Sequence, residues 1–160
     1  MEAAQNAPAD ESFKQALRLS PEDPDANNTY GWFLCQTGRE TQSFALFNKA
    51  ASTPFYATPA KPLQNAGICA MQQKNYSLAE SYLLRAQEQD GNLLTVSFHL
   101  AQLYLKLRDA PKANAYSRRV LTNSKPTAET VWLGIRAAHL NNDAIAKAQL
   151  VQVLKNEFSN

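Results

Sequence analysis

The sequence predicts an all-α fold, a solenoid of about four helix hairpins preceded by half of another hairpin. Three observations predict it. Ala, Leu, Gln, Lys and Glu dominate the periodic segments and favour helix. Five glycines and eight prolines in 160 residues are too few to separate many short strands. A small residue inside an apolar stretch returns roughly every 34 residues, as expected for stacked copies of one helical unit.

The recurring small residues are Gly31, Gly67, Ala101 and Gly134, at intervals of 36, 34 and 33 residues. Glycine in the middle of a helix costs roughly 1 kcal/mol relative to alanine, so its presence needs a compensating reason. We predict that the two helices of a hairpin approach most closely at these positions, because a larger side chain there would hold the helices apart.

A second helix follows each small residue after about twelve positions, with apolar residues spaced by three and four on one face. These residues are Phe47 and Ala50, then Ala79, Leu83 and Ala86, then Ala113, Tyr116 and Val120, and finally Ala146, Leu150 and Val153. Short polar segments join the paired helices, and prolines lie between pairs, where a missing N–H does no harm. The predicted hairpins span residues 24–57, 60–93, 94–126 and 127–160.

This pattern resembles the tetratricopeptide repeat, a helix-turn-helix unit of about 34 residues. The resemblance implies a right-handed superhelix formed by a single domain over residues 1–160. Residues 8–20 match only the second helix of an earlier repeat, and the matching residues are Phe13, Ala16 and Leu17, followed by Pro21. Repeats are stabilised by their neighbours, so a leading helix without its partner leaves a face uncovered. We therefore expect the chain to be truncated at its N-terminus.

Three segments carry a narrower resemblance. They are ESFKQALRLSPEDPDANNTYGWFLCQTGR at 11–39, STPFYATPAKPLQNAGICAMQQ at 52–73 and TVWLGIRAAHL at 130–140. Together they resemble the PilW family of type IV pilus biogenesis and stability proteins, also called PilF, over residues 11–158. The resemblance implies a non-enzymatic pilotin, a periplasmic outer-membrane lipoprotein that helps the secretin channel PilQ to multimerise or to stay assembled.

We expect this chain to lack the family's lipoprotein signal, its acylated Cys and roughly the first one and a half repeats. The first residues, MEAAQNAPADESF, lack the positive start and the apolar run of a secretion signal. We therefore expect association with the outer membrane only if a lipoprotein signal is encoded upstream. Taken by itself, the chain also fits a second hypothesis, a cytosolic tetratricopeptide-repeat adaptor that binds a peptide or a chaperone partner.

Cys35 and Cys69 are the only cysteines, and each lies in a predicted first helix. First helices of neighbouring repeats pack side by side, which allows the Cα separation of about 4.4–6.8 Å that a disulfide needs. A disulfide in an oxidising periplasm and two buried free thiols are both compatible with this placement. A thiol enzyme using Cys69 is a third hypothesis, but neither His99 nor His139 has a carboxylate at a useful spacing.

The first helices are expected to form a partner-binding surface, because first helices line the concave groove of tetratricopeptide-repeat proteins. By that analogy the groove presents Asn28, Trp32, Gln36, Gln64, Ile68, Met71, Gln72, Phe98, Gln102 and Lys106. An amphipathic or extended protein segment would lie along it, anchored by aromatic side chains. The alternative places Trp32 or Phe98 in the core between repeats.

A proline-rich loop at 52–62 follows the first predicted hairpin. We predict that Phe55 and Tyr56 fill space between repeats, and an exposed aromatic contact is the alternative.

Basic residues concentrate late in the chain, at Lys106, Arg108, Lys112, Arg118, Arg119 and Lys125. They span two predicted helices instead of forming one stripe. A solvated face and a contact for an acidic protein or for lipid headgroups are the two interpretations.

The remaining classes of function are disfavoured. The glycines never occur in a phosphate-binding order, and the two His and two Cys do not have zinc-ligand spacing, so no catalytic, cofactor or metal site is predicted. A net charge of +2 is too small to indicate nucleic acid, and the chain has no apolar run of about 18 residues that would span a membrane. The expected partners are proteins, namely the pilus secretin or another pilus assembly protein, and the oligomeric state is left open.

Overall fold

The computed structural model describes residues 2–158, with side chains from residue 6 onward. That range contains nine α-helices and no strand, so the predicted all-α class is confirmed. The helices are α1 Glu2–Leu19, α2 Pro24–Gln36, α3 Glu40–Ala51, α4 Ala60–Gln72, α5 Tyr76–Gln89, α6 Leu94–Leu107, α7 Ala110–Asn123, α8 Ala128–Leu140 and α9 Ala144–Phe158. They divide into two compact units, Met1–Asp90 with α1 to α5 (unit 1) and Gly91–Asn160 with α6 to α9 (unit 2).

Each predicted hairpin range contains one pair of helices, from α2 and α3 in 24–57 to α8 and α9 in 127–160, whose last two residues lie outside the described part. The leading helix α1 begins earlier than the predicted half-repeat 8–20, because the residues before Pro8 include three alanines and a glutamine, which are good helix formers. Pro8 lies inside α1, and its carbonyl accepts a hydrogen bond from the Ser12 hydroxyl at 2.9 Å.

Glycines lie where the paired helices of unit 1 meet. A β-carbon built on Gly31 would come within 3.0 Å of the Phe47 ring, and one built on Gly67 would come within 2.6 Å of Leu83 Cγ. Phe47 and Leu83 are fully buried on the second helices α3 and α5. The absence of a side chain at each glycine therefore allows the close packing of its hairpin.

Unit 2 has the same arrangement. A β-carbon built on Gly134 would lie 2.7 Å from Leu121 Cδ1 on α7 and 3.0 Å from Leu150 Cδ1 on α9. Ala101, the small residue of α6, is fully buried.

Each hairpin turn closes in the same way. One or two residues after the first helix ends, a residue adopts a left-handed conformation, with φ of 76° at Gly38, 61° at Lys74, 59° at Arg108 and 56° at Asn142. The following backbone N–H then donates to the carbonyl five residues earlier. These bonds run from Arg39 to Leu34, Asn75 to Ala70, Asp109 to Tyr104 and Asp143 to Ala138, each at 2.9 Å. This is the Schellman ending of a helix, and it fixes where every second helix starts.

Helix α1 is held on α2 by one carboxylate. Asp10 Oδ1 accepts hydrogen bonds from the Tyr30 hydroxyl at 2.9 Å and from Arg39 Nη2 at 2.7 Å, and Lys14 Nζ lies 2.8 Å from Asp10 Oδ2. The Phe13 and Tyr30 rings stack beside them, with centroids 5.3 Å apart. The Arg39 guanidinium, followed by Lys14 and Tyr30, holds the pKa of Asp10 well below its ordinary value.

Candidate partner-binding surface

The first helices of unit 1 lie side by side and are joined across their contact. Asn65 Nδ2 on α4 donates to Asn28 Oδ1 on α2 at 2.9 Å. Cys35 and Cys69 form a disulfide with a Cα separation of 6.1 Å. These links fix α2 against α4 at both ends of their contact. We call the side chains that the two helices present the first-helix surface of unit 1.

Seven of the predicted groove residues belong to these two helices. Gln36 and Gln72 are exposed, and Gln36 Nε2 donates to Gln72 Oε1 at 3.1 Å. The half-buried members are Trp32, Gln64, Ile68 and Met71. Asn28 has only 3% of its surface exposed, so its amide belongs to the contact between α2 and α4. The surface that a partner can reach therefore combines aromatic, aliphatic, thioether and amide groups.

The other three predicted residues, Phe98, Gln102 and Lys106, follow one another at spacings of four along α6 in unit 2. Phe98 is half-buried and lines a cleft of about 270 Å³ together with Leu94 and Thr130. Gln102 Oε1 lies 3.1 Å from His99 Nδ1, and Lys106 is exposed. The ten predicted residues thus divide between the two units, and one continuous groove stays a prediction.

The burial of His99 gives it a structural role in α6. Burial lowers the pKa of the His99 imidazole, which favours the neutral ring. The ring of Phe98 meets the His99 ring edge-on, with centroids 5.5 Å apart. His99 therefore packs against its own helix neighbours through its ring and through Gln102.

Two exposed residues of α8 are absent from the predicted surface. Trp132 is 54% exposed and Arg136 is exposed, whereas their neighbours Val131 and Ile135 are buried. Helices α6 and α8 contact each other in unit 2, as α2 and α4 do in unit 1. The interval between helix starts indicates these two residues. Helix α8 begins 34 residues after α6, so Phe98 and Gln102 correspond to Trp132 and Arg136. The sequence prediction named no residue of the last hairpin for the groove.

The prediction for Phe55 is wrong. Its side chain is fully exposed, and its φ of 59° is unusual for an aromatic residue. Tyr56 is half-buried and its hydroxyl donates to Asp25 Oδ1 at 2.7 Å, so this neighbour alone packs against the repeat. Burial raises the pKa of the Tyr56 hydroxyl, which remains a donor at neutral pH. The backbone turn at Phe55 sends the two rings to different environments.

Over residues 2–158, His, Cys, Asp and Glu do not gather in a group of three or more that would hold a metal ion. In the same range, every helix is too short or too polar to cross a bilayer.

The chain consists of helix hairpins whose first helices start about 34 residues apart. Each hairpin closes through the same type of turn, and its two helices meet at a small residue. These features define a tetratricopeptide-repeat protein. The crystal structure of PilW, a widely conserved type IV pilus biogenesis factor, matches with a TM-score of 0.85 and 32% identity, over 96% of this chain and 70% of that one. The chain belongs to the PilW family. No protein-family model matches it.

Three further comparisons are consistent with this result. The type IV pilus assembly protein PilF of Pseudomonas aeruginosa is 25% identical over 135 residues, which are 84% of this chain and 54% of PilF, so the chain spans about half the length of this curated relative. A solved structure of Pseudomonas aeruginosa PilF has a TM-score of 0.79 over 94% of this chain and 68% of that one, at 25% identity. The crystal structure of MamA has a TM-score of 0.74 over 90% of this chain and 85% of that one, at 14% identity, and shares the fold.

Proposed function

We propose that this protein is a non-enzymatic scaffold of type IV pilus biogenesis that assists the assembly or the stability of the outer-membrane secretin through protein contacts. The observation that carries the proposal is the match to PilW, a type IV pilus biogenesis factor, over nearly the whole chain at 32% identity. The protein acts by holding a segment of its partner on its first helices. No bond in the partner is made or broken.

The chemistry of the first helices supports binding. Trp32, Ile68 and Met71 present aromatic and apolar surface on unit 1, and Gln36 and Gln72 flank it with amides. Exposed aromatic side chains surrounded by polar groups are the usual anchors of protein interfaces. Because the disulfide and the Asn28–Asn65 hydrogen bond already hold α2 against α4, little order has to be gained when a partner binds.

The periplasm is the proposed compartment. Disulfides persist in oxidising compartments and are rare in the cytosol, and the Cys35–Cys69 bond fits the former. Alkylation of the protein in intact cells, followed by mass measurement, tests this point. Unmodified cysteines until a reductant is added support the periplasm, and labelling of both thiols without reductant contradicts it.

The function is tested by deleting the gene in its natural host. Fewer surface pili and fewer detergent-resistant secretin multimers are expected, with recovery when the whole natural gene is restored. A gene carrying Trp32→Ala and Trp132→Ala should not restore the multimers although the protein accumulates normally. Ile145→Ala on α9 is the matched control, because Ile145 is also an exposed apolar residue but lies on a second helix.

Two results would contradict the proposal at different levels. Unchanged secretin multimers with lost pili would remove the secretin as the partner and keep the role in pilus biogenesis. Normal pili after deletion would remove that role as well.

A further inference from the structure

We propose that a basic cleft in unit 2 binds an acidic segment of a partner protein through its carboxylates. The cleft has a volume of about 390 Å³ and lies at the C-terminal ends of α6 and α8. It is lined by Leu105, Arg108, Arg136, His139, Leu140 and Asn142. We call it the arginine cleft. The inference depends neither on the predicted groove nor on the role in pilus biogenesis.

The backbone around the arginine cleft is fixed by two equivalent turns. Arg108 ends α6 in the left-handed conformation, and the next N–H, of Asp109, bonds to the Tyr104 carbonyl at 2.9 Å. Asn142, two residues after the end of α8, is also left-handed, and the corresponding bond from Asp143 N–H to the Ala138 carbonyl is 2.9 Å long. The cleft is therefore present before a ligand arrives, which reduces the entropy lost on binding.

The charge of the surroundings favours an anion. Unit 2 holds nine Lys and Arg against four Asp and Glu, a net charge of +5, whereas unit 1 holds seven against ten. None of the described residues that line the arginine cleft is acidic. In the described part of the chain, neither Arg108 nor Arg136 forms an ion pair. Arg39 of unit 1 differs, because its guanidinium is paired with Asp10.

The acids that directly follow the two turns are engaged elsewhere. Asp109 Oδ1 accepts from the backbone N–H of Lys112 at 3.1 Å and so caps α7, and its Oδ2 lies 3.6 Å from Lys112 Nζ. Asp143 Oδ1 accepts from the backbone N–H of Ala146 at 2.9 Å at the start of α9. Within residues 2–158, the exposed guanidinium groups of the arginine cleft are therefore open to a carboxylate of a partner.

The chemical groups that line the cleft favour a peptide over a phosphate or a lipid headgroup. A planar guanidinium binds a carboxylate with two parallel hydrogen bonds, and His139 and Asn142 add hydrogen-bonding groups beside the two arginines. Leu105 and Leu140 supply apolar surface in the same cleft. A segment in which acidic and apolar side chains alternate would cover both kinds of lining, whereas a phosphate group would leave the leucines in water.

Fluorescence anisotropy with the full chain tests the proposal. The probe is a short labelled peptide of alternating Glu and Leu with blocked ends, and its comparison has Gln for every Glu. We expect the protein to bind the Glu peptide, with an affinity that falls as salt is added. The Gln peptide should bind at least about tenfold more weakly, because hydrogen bonds to charged groups are stronger than those between neutral groups. Arg108→Gln and Arg136→Gln should each weaken binding of the Glu peptide by about tenfold, and Arg136→Lys by less.

Arg118→Gln is the matched control, because it removes the same charge from an exposed site on α7 outside the arginine cleft. It should change the affinity less than about twofold, as expected for a distant charge screened by salt. Circular dichroism of each variant establishes that it is folded, and Arg136→Lys supplies a second, milder variant.

Three outcomes would overturn the proposal. The first is no binding of the Glu peptide. The second is an equal loss of affinity in Arg118→Gln, which would show attraction to the net charge of unit 2 alone. The third is that the protein binds phosphatidylglycerol vesicles through Arg108 and Arg136 but does not bind the peptide. That result would assign the cleft to lipid headgroups.

Discussion

Gly31 lies so close to Phe47 that a β-carbon on the glycine would come within 3.0 Å of two carbons of the ring. The Ser43 carbonyl oxygen would lie 3.3 Å from the same β-carbon, on the backbone of α3. Phe47 is fully buried and cannot turn away into solvent. The contact between α2 and α3 therefore favours the glycine that is unfavourable for α2 by itself.

Replacing Gly31 by Leu should destabilise the protein by roughly 2–4 kcal/mol, because the side chain has to displace the Phe47 ring or separate α2 from α3. Thermal unfolding followed by circular dichroism measures the effect. Ala45→Leu is the matched control, since Ala45 is exposed on α3 and a leucine there meets only solvent. An unchanged melting temperature for Gly31→Leu would show that this contact does not limit packing.

The hairpins were predictable from the sequence because their signals are local. Small residues at Gly31 and Gly67, apolar residues at spacings of three and four, and prolines between pairs all act within one repeat. The attachment of α1 was not predictable in detail. It depends on Asp10 meeting Arg39 and Tyr30, which are 29 and 20 positions away in the sequence, and no local pattern indicates such a meeting.

The binding surface was predictable only in part, for two physical reasons. Adjacent helix positions differ by about 100° in direction, and intervals of 33 to 36 between the small residues do not fix that register, so the sequence did not single out exposed Trp132 beside buried Val131. The orientation of Phe55 depends on a single backbone torsion, because its left-handed φ turns the side chain outward. Composition gives no indication of either detail.

Removing the Cys35–Cys69 disulfide should lower the free energy of unfolding by on the order of 3–4 kcal/mol in the chain-entropy model, because the bond closes a loop of 34 residues in the unfolded chain. Urea unfolding of a Cys35→Ala, Cys69→Ala double variant measures it. The parent protein unfolded with a reductant should approach the stability of the double variant. If reductant leaves the parent's midpoint unchanged, the bond does not contribute in this way.

Replacing Asp10 by Asn should weaken the attachment of α1 to α2. It should also make the free energy of unfolding less dependent on pH in acid. The pKa of Asp10 is held below its ordinary value near 3.8 by Arg39, Lys14 and Tyr30, so the folded state binds its proton less readily than the unfolded state does. The stabilisation is complete above the unfolded pKa and is lost as the pH falls through the folded pKa. The parent should therefore lose more stability than Asp10→Asn between about pH 5 and pH 2.

The matched control for Asp10 is its neighbour. Glu11 is exposed and its Oε1 pairs with Lys14 Nζ at 3.1 Å, so Glu11→Gln removes the same charge and keeps the bonds of Asp10 to Arg39 and Tyr30. Melting temperatures of the three proteins across this pH range decide the matter. If the melting temperature falls equally with pH in Asp10→Asn and in the parent, Asp10 does not hold α1 through its charge.

Trp32 and Trp132 test whether the first helices bind the partner. Trp132 is 54% exposed, so Trp132→Ala should change the free energy of unfolding by less than about 1 kcal/mol, and the half-buried Trp32 should have a larger effect. Aromatic anchors at interfaces contribute about 2 kcal/mol or more, so each replacement should weaken binding of the purified periplasmic part of the secretin more than it weakens folding. Biolayer interferometry beside thermal unfolding measures both quantities, with Ile145→Ala as the control for loss of an exposed apolar side chain. If Trp32→Ala lowers the stability and leaves the affinity unchanged, Trp32 belongs to the core between α2 and its neighbours. The same result for Trp132→Ala would remove α8 from the binding surface.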